Sequence, residues 1–425
     1  MSQALLKSFA RATGRLWFRT LRREGPALPD GPVLIVLNHP NGLLDPLVVT
    51  ALLPRPPRFV AKATLWKLLP LRPFLALFRP IPVQRTQDLP EGATEDQRQA
   101  AVQATFSAVH RAFQAGEVVG IYPEGISHGG HDLAPLKTGA ARMALGAPVR
   151  PTLVPAGLVY GDRELFRHNA LLRLGAPVPH GDLPGSDPES VQILTARIRE
   201  ALRPLTLHGP EAERLRLARD LAWLLAEGPE TQADLEALRT RVQALQAHLE
   251  GLPEADQARL REDVDRIQAW LRRHGLRPDQ VGHAYGLGEA ARWLPKALLR
   301  LACLLLCLPF GLLFWPAYRL VGWLAGRFAE EVDVTATVKL LAGLLLLPLW
   351  AAGLAWLGLR TLHLGSWAWL PLGCVAAWLS LPLTERVAED LQAVRGFLAR
   401  RHPKVPALLE AKAQLLEACP GLQSI

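Results

Sequence analysis

Two runs near the carboxyl end, Leu340 to Leu359 and Leu364 to Leu383, hold twenty residues each without a single charged side chain. As helices they would rise about 30 Å, the thickness of a bilayer's hydrocarbon layer, and few soluble folds bury two such segments side by side. Only Arg360 to His363 separate them, so a tight hairpin is expected. An earlier stretch, Leu301 to Ala317, is also uncharged but contains Pro309 and Pro316, and it could either cross or dip in and return. Basic residues beyond Arg386, among them Arg395, Arg400, Arg401 and Lys404, favour a cytoplasmic tail. An even number of crossings follows if the front of the chain is cytoplasmic too; two against three stays open. The expectation is an integral membrane protein with its amino-terminal domain in the cytoplasm.

The charge is concentrated at the other end. Residues 1 to 85 contain 13 Lys or Arg against 3 Asp or Glu, within a net charge of +9 for all 425 residues. A basic front suits an anionic bilayer or a polyphosphate ligand such as coenzyme A. Nucleic acid ranks last as a partner, since neither zinc-finger spacing nor a basic-aromatic signature is present. Cys303, Cys307, Cys374 and Cys419 form no C-x-x-C pair and no disulfide framework, which points to a reducing compartment. Residues 1–25 place Lys7, Arg11, Arg15, Arg19, Arg22 and Arg23 at near-helical spacing, with Leu5, Leu6, Phe9, Leu16, Trp17 and Phe18 between them. A basic amphipathic helix on the membrane surface is expected there, with a helix packed on the following domain as the alternative.

From residue 26 to 208 short apolar runs alternate with helical stretches. Val33 to Leu37, Arg58 to Ala61, Ile81 to Gln84, Val118 to Tyr122, Thr152 to Tyr160 and Ala170 to Leu174 are strand candidates. Leu44 to Leu53, Glu95 to Gln114, Thr138 to Leu145 and Pro188 to Leu202 are helical ones. The alternation implies an α/β domain on a mostly parallel sheet flanked by helices. Residues 209–290 follow as an amphipathic helical region. There Leu235, Leu238, Val242, Leu245 and Leu249, then Leu260, Val264, Ile267 and Leu271, keep a three-four spacing on either side of Gly251-Leu252-Pro253, as in a helical hairpin. Residues 296–384 are the membrane region and 385–425 a helical tail.

The chemistry lies just after the first buried strand candidate, in Asn38-His39-Pro40-Asn41-Gly42-Leu43-Leu44-Asp45-Pro46. A strand delivers a histidine into a Pro/Asn/Gly turn, with a carboxylate six positions on, a way to pair a general base with the group that orients it. Within one helix, positions six apart lie roughly 240° around the axis, so the two meet only if His39 precedes the helix. Pro40 and Gly42 put it there.

These residues resemble the glycerolipid (PlsC-like) acyltransferases, whose mark is Asn-His, four residues, then Asp. Five residues separate His39 from Asp45 here, a spacing similar to the branch that acylates glycerol 3-phosphate and dihydroxyacetone phosphate. Three more blocks follow in the family's order. Arg79-Pro80-Ile81-Pro82-Val83-Gln84-Arg85 resembles its second motif, and Val154-Pro155-Ala156-Gly157-Leu158 its fourth, a strand ending in proline. Tyr122-Pro123-Glu124-Gly125-Ile126-Ser127-His128 resembles its Phe-Pro-Glu-Gly-Thr-Arg-Ser block, with Ile126 and Ser127 in place of Thr and Arg. That loss of a cation could be made good by Lys137, which resembles the lysine following this block.

The resemblance implies His39 as general base and Asp45 as its partner, with Arg85, Lys137 and Lys62 on the acceptor's phosphate. It also implies the Glu124-Gly125 turn on the glycerol portion and Pro155 in the acyl-donor region. The implied reaction moves a fatty acyl group from acyl-CoA or acyl-carrier protein, as co-substrate, to glycerol 3-phosphate or dihydroxyacetone phosphate. No bound cofactor and no metal are needed. The alternative acceptor is 1-acylglycerol 3-phosphate. A remoter reading takes Gly125-Ile126-Ser127-His128-Gly129 as the G-x-S-x-G elbow of a serine esterase, with Ser127 as nucleophile; a helix would have to begin right after the serine. A metal site from His128, His131 and Asp132 is weaker still.

Overall fold

A computed structural model describes residues 3–84, 94–128, 130–162, 166–209, 211–225, 234–280, 286–329, 332–361, 369–399 and 402–417. Arg85, Gly129, Arg400, Arg401, Cys419 and the segment 362–368 lie outside the described residues. The chain divides into two compact units, Met1–Ala212 with Glu331–Thr337, and Glu213–Glu330 with Val338–Ile425.

The first unit is built on a sheet that has seven strands among the described residues: β1 (Phe18–Glu24), β2 (Val33–Leu37), β3 (Arg58–Lys62), β4 (Ile81–Val83), β5 (Val118–Ile121), β6 (Thr152–Tyr160) and β7 (His168–Leu174), in the order β1-β7-β6-β2-β5-β3-β4. Pairing is parallel except between β6 and β7, as the alternating pattern predicts. β2 sits between β5 and β6, and all five of its residues are buried. An unbroken apolar run is what a strand covered on both faces requires. Helices α2 (Leu44–Leu52), α4 (Glu95–Gln114), α5 (Gly139–Leu145) and α6 (Pro188–Leu202) fall where the sequence places them; α4 opens on a capping box between Thr94 and Gln97. A short α3 (Arg72–Phe78) precedes β4. One face of the sheet packs Leu34, Val36, Val119 and Leu153 against Phe113, Met143, Leu194 and Ile198.

The amino terminus departs from expectation. Helix α1 stops at Trp17, and Phe18–Glu24 becomes strand β1, pairing parallel with β7. An open sheet edge offers backbone partners that helical periodicity does not register. α1 buries Leu6, Ala10, Thr13, Gly14 and Trp17, Lys7 Nζ donates to the Pro54 carbonyl at 2.8 Å, and Arg11 Nε to that of Ala51 at 3.2 Å. The helix is thus packed on the first compact unit, the alternative to a helix on the membrane surface.

In the second unit, α7 (Ala212–Leu224), α8 (Leu235–Glu250) and α9 (Glu254–His274) are amphipathic, the last two broken at Gly251-Leu252-Pro253 as expected. Gln257 secures that junction by donating to the Leu249 and Leu252 carbonyls. The apolar region comprises α10 (Leu287–Phe328), α11 (Val332–Thr361) and α12 (Trp369–Ala399), and a final helix α13 covers Val405–Glu417. α10 is one continuous helix through Pro295, Pro309 and Pro316, so Leu301 to Ala317 does not turn back. α12 likewise runs past residue 384, the expected boundary with the tail. α10 and α12 pack together, with Arg300 Nη1 2.8 Å from Asp390 Oδ1 and Gly311 so close to Ser380 that a Cβ would lie 2.6 Å from its hydroxyl. Two segments among the described residues, Gly288–Phe328 and Thr335–Gly358, are long and apolar enough to cross a membrane, and Leu299, Leu306, Trp323, Leu345 and Leu349 on them are exposed. Apolar side chains on the outside of a helix suit lipid better than water.

Candidate active site

His39, Glu124 and Tyr160 gather at the carboxyl ends of β2, β5 and β6, where open parallel sheets hold ligands. β2 ends at Leu37, and α2 begins at Leu44. Between them Gly42 adopts φ of 48°, a left-handed turn that a side chain would strain, and the Leu44 amide donates to the Asn41 carbonyl at 3.0 Å. His39 therefore precedes the helix and Asp45 occupies its first turn. His39 Nδ1 lies 2.7 Å from Asp45 Oδ2.

Asp45 is completely buried, and both its oxygens are used: Oδ2 also accepts from the Asn41 amide at 2.8 Å, while Oδ1 accepts from the Tyr160 hydroxyl at 2.7 Å. A carboxylate accepts only, so Nδ1 of His39 is the donor, and in the neutral imidazole the lone pair is then on Nε2. The imidazole lies flat on the Tyr122 ring, centroids 3.8 Å apart, and Tyr122 in turn stacks on Phe59 at 5.4 Å. Burial, and then the charge of Asp45, push the pKa values of both Tyr122 and Tyr160 well above the usual phenol range, so both stay neutral. Asn38 clamps the turn to β6, donating to the Leu158 carbonyl at 3.0 Å and accepting from its amide at 2.7 Å.

The Tyr122-to-His128 block folds over the same turn. Glu124 is buried; Oε1 accepts from the His39 amide at 3.1 Å, and Oε2 accepts from the Ala134 amide at 2.8 Å and pairs with Nε2 of His128. The His128 amide closes the loop on the His39 carbonyl at 3.1 Å. Glu124 thus braces the backbone of the His39 turn, with both of its oxygens hydrogen-bonded to protein groups. Gly125 has φ of 71°, and a Cβ there would lie 2.9 Å from Lys137 Nζ, so Lys137 lies against this block. Lys62 ends β3 at the same edge of the sheet. Within the first compact unit, the Leu43 amide also donates to Thr337 Oγ1 at 3.1 Å.

Pro155 is elsewhere. β6 continues five residues beyond it, and the proline is buried opposite Val36 in the middle of the sheet. Its carbonyl accepts from Gly175, just past the end of β7, so the amide it lacks would also have pointed off that strand's end. It supports the sheet and does not line the site. From β6, Tyr160 reaches the dyad instead, and no local motif announces it.

Ser127 sits on no nucleophile elbow. The residues described from Pro123 to Lys137 include no helix, and α5 begins only at Gly139. Asp132 pairs with Arg199 at 3.2 Å and His128 with Glu124, and no group of three or more His, Cys, Asp or Glu comes together among the described residues.

A family model described as acyltransferase matches residues 20–159. Glycerol-3-phosphate O-acyltransferase 2 of Saccharomyces cerevisiae is 36% identical over 121 residues, 26% of this chain and 16% of the yeast protein. Glycerol-3-phosphate O-acyltransferase 1 of the same organism is 27% identical over 278 residues, 56% of this chain and 35% of its own length. The chain therefore spans about a third or less of these relatives. The solved PlsC, a 1-acyl-sn-glycerophosphate acyltransferase of Thermotoga maritima, shares 16% identity with a TM-score of 0.35 over 47% of this chain and 76% of that one. Residues 20–159 therefore carry a domain that matches the acyltransferase family model. The relatives it resembles include the two yeast glycerol-3-phosphate enzymes.

Proposed function

We propose that this protein is a membrane-associated O-acyltransferase that moves a fatty acyl group from a coenzyme A or carrier-protein thioester to glycerol 3-phosphate or dihydroxyacetone phosphate. The observation that carries this reading is the His39–Asp45 pair at 2.7 Å inside an acyltransferase-family domain. The names of the yeast relatives support the acceptor.

In this mechanism Nε2 of His39 removes the proton of the acceptor hydroxyl as its oxygen attacks the thioester carbonyl. The tetrahedral adduct collapses, the carbon–sulfur bond breaks, and the imidazolium returns its proton to the departing thiolate. Asp45 holds the productive tautomer and stabilises the imidazolium. No acyl-enzyme, metal or bound cofactor is required. Lys137, Lys62 and Arg85 supply cations for the phosphate. The apolar segments hold the domain at the bilayer, where the acyl chain partitions, with the catalytic domain on the cytoplasmic side in keeping with Arg395 and Lys404.

The test is to supply the purified protein with acyl-CoA or acyl-carrier protein and, in parallel, glycerol 3-phosphate, dihydroxyacetone phosphate and lysophosphatidate. Transfer to either of the first two is expected. Exclusive transfer to lysophosphatidate would replace the acceptor, and no transfer to any would remove the reading.

A further inference from the structure

Asp45 is held from three sides, and only one of them comes from outside its own turn. His39 and the Asn41 amide share Oδ2, whereas Oδ1 has the Tyr160 hydroxyl, 115 residues along the chain. A carboxylate anchored at one oxygen can swing about its Cβ–Cγ bond; a second anchor fixes its plane, and with it the axis along which the imidazole is held. Tyr160 is suited to be that anchor. Its ring is buried and stacks on Phe18 of β1 at 5.8 Å, and its phenol stays protonated, hence a donor, across the working pH range. Moreover β6 grips the catalytic turn twice, two residues apart: the Leu158 backbone takes Asn38, and the Tyr160 side chain takes Asp45.

We infer that Tyr160 is a positioning residue for the acyl transfer, the third member of a Tyr160–Asp45–His39 chain of hydrogen bonds that sets both the orientation of the general base and the charge it experiences. This rests on the reading of His39 as the base. The donated hydrogen bond withdraws negative charge from Asp45. Without it more of that charge falls on Oδ2, the imidazolium is better stabilised, and His39 loses its basic form at a higher pH. The other titratable groups facing the dyad are Tyr122 beneath the ring, Glu124 on the His39 amide, His128 on Glu124, and Lys137 beside Gly125. The hydrogen bond that the structure shows on Oδ1 of Asp45 comes from Tyr160, so the effect is assigned to Tyr160.

The test is Tyr160→Phe in the full-length protein, which keeps the ring and its packing on Phe18. A fall in kcat of about tenfold is expected, the scale of one hydrogen bond to a charged group. KM for the acceptor should be unchanged, and the acidic limb of the kcat/KM profile should move to higher pH. The His39 resonance in selectively labelled protein should titrate at higher pH by the same amount. Phe18→Leu, which loosens the ring but keeps the hydroxyl, should leave that limb in place. Should Tyr160→Phe fail to fold, 4-aminophenylalanine at position 160, a donor of similar size, must fold and restore the wild-type profile. Wild-type kcat and an unmoved limb in a folded Tyr160→Phe would overturn the inference, as would a folded but inactive 4-aminophenylalanine protein. The His39 titration needs no substrate, so it decides the role of Tyr160 even if the acceptor proves to be another.

Discussion

The imidazole of His39 rests face to face on Tyr122, 3.8 Å between centroids and within 9° of parallel. When His39 becomes an imidazolium in mid-reaction, the negative face of the phenol ring lies directly against it. Tyr122→Leu should lower kcat by about tenfold with little change in KM, since the ring acts on the transition state more than on the bound acceptor. Tyr122→Phe should be as active as wild type. Because the buried Tyr122 hydroxyl finds no hydrogen-bond partner among the described residues, its removal should also raise stability by about 1 kcal/mol, read from thermal or denaturant unfolding.

Gly120 is what allows the stack to form. A Cβ there would lie 2.5 Å from Cε1 of Phe59, which a stacked ring can relieve only by moving. Gly120→Ala should displace Phe59, and Tyr122 with it, lowering both the unfolding midpoint and kcat. Unchanged activity would mean that the order of the three rings is immaterial.

Asn38→Leu would leave the amide and carbonyl of Leu158 buried without partners. A cost of about 1–3 kcal/mol per lost partner is expected, together with reduced turnover as the catalytic turn loosens from β6. Asn38→Asp should recover only the bond donated by the Leu158 amide and so fall between. Chemical denaturation of the three proteins checks the order.

The two buried phenols make the fold sensitive to alkali. Burial holds their pKa values well above the ordinary phenol value of about 10, so the folded state keeps protons that the unfolded chain gives up. Their contribution is complete below pH 10 and is lost as pH rises through the folded-state range, by up to about 1.4 kcal/mol per pH unit for each group. Tyr160→Phe should flatten this decline. An equal slope in wild type and variant would show that the phenol is not protected.

Much of this site was legible because its signals are local. Five apolar residues, then Asn-His-Pro-Asn-Gly, specify a buried strand, a sharp exit and a histidine ahead of a helix, and the structure has all three. Phe18–Glu24 was not legible as a strand, because it is half charged and its partner lies some 150 residues further on; pairing at a sheet edge leaves little trace in hydrophobic spacing. Tyr160 was hidden for a similar reason, as nothing near Asp45 in the chain indicates which distant residue completes its hydrogen bonds. Glu124 was found by its motif, but its protein partners, an amide on each side and an imidazole, were not legible, because they arise only when the loop folds back on His39. Pro155 was expected at a strand's end and lies in a strand's middle, where β7 happens to stop alongside it.

The most direct test of the account is the turnover of His39→Ala with acyl-CoA and glycerol 3-phosphate or dihydroxyacetone phosphate, measured beside its unfolding curve. Removal of a general base should cost about 10²–10⁴-fold in kcat, with the fold and the acceptor's KM preserved. Turnover within a few-fold of wild type, in a protein that is properly folded, would contradict the account.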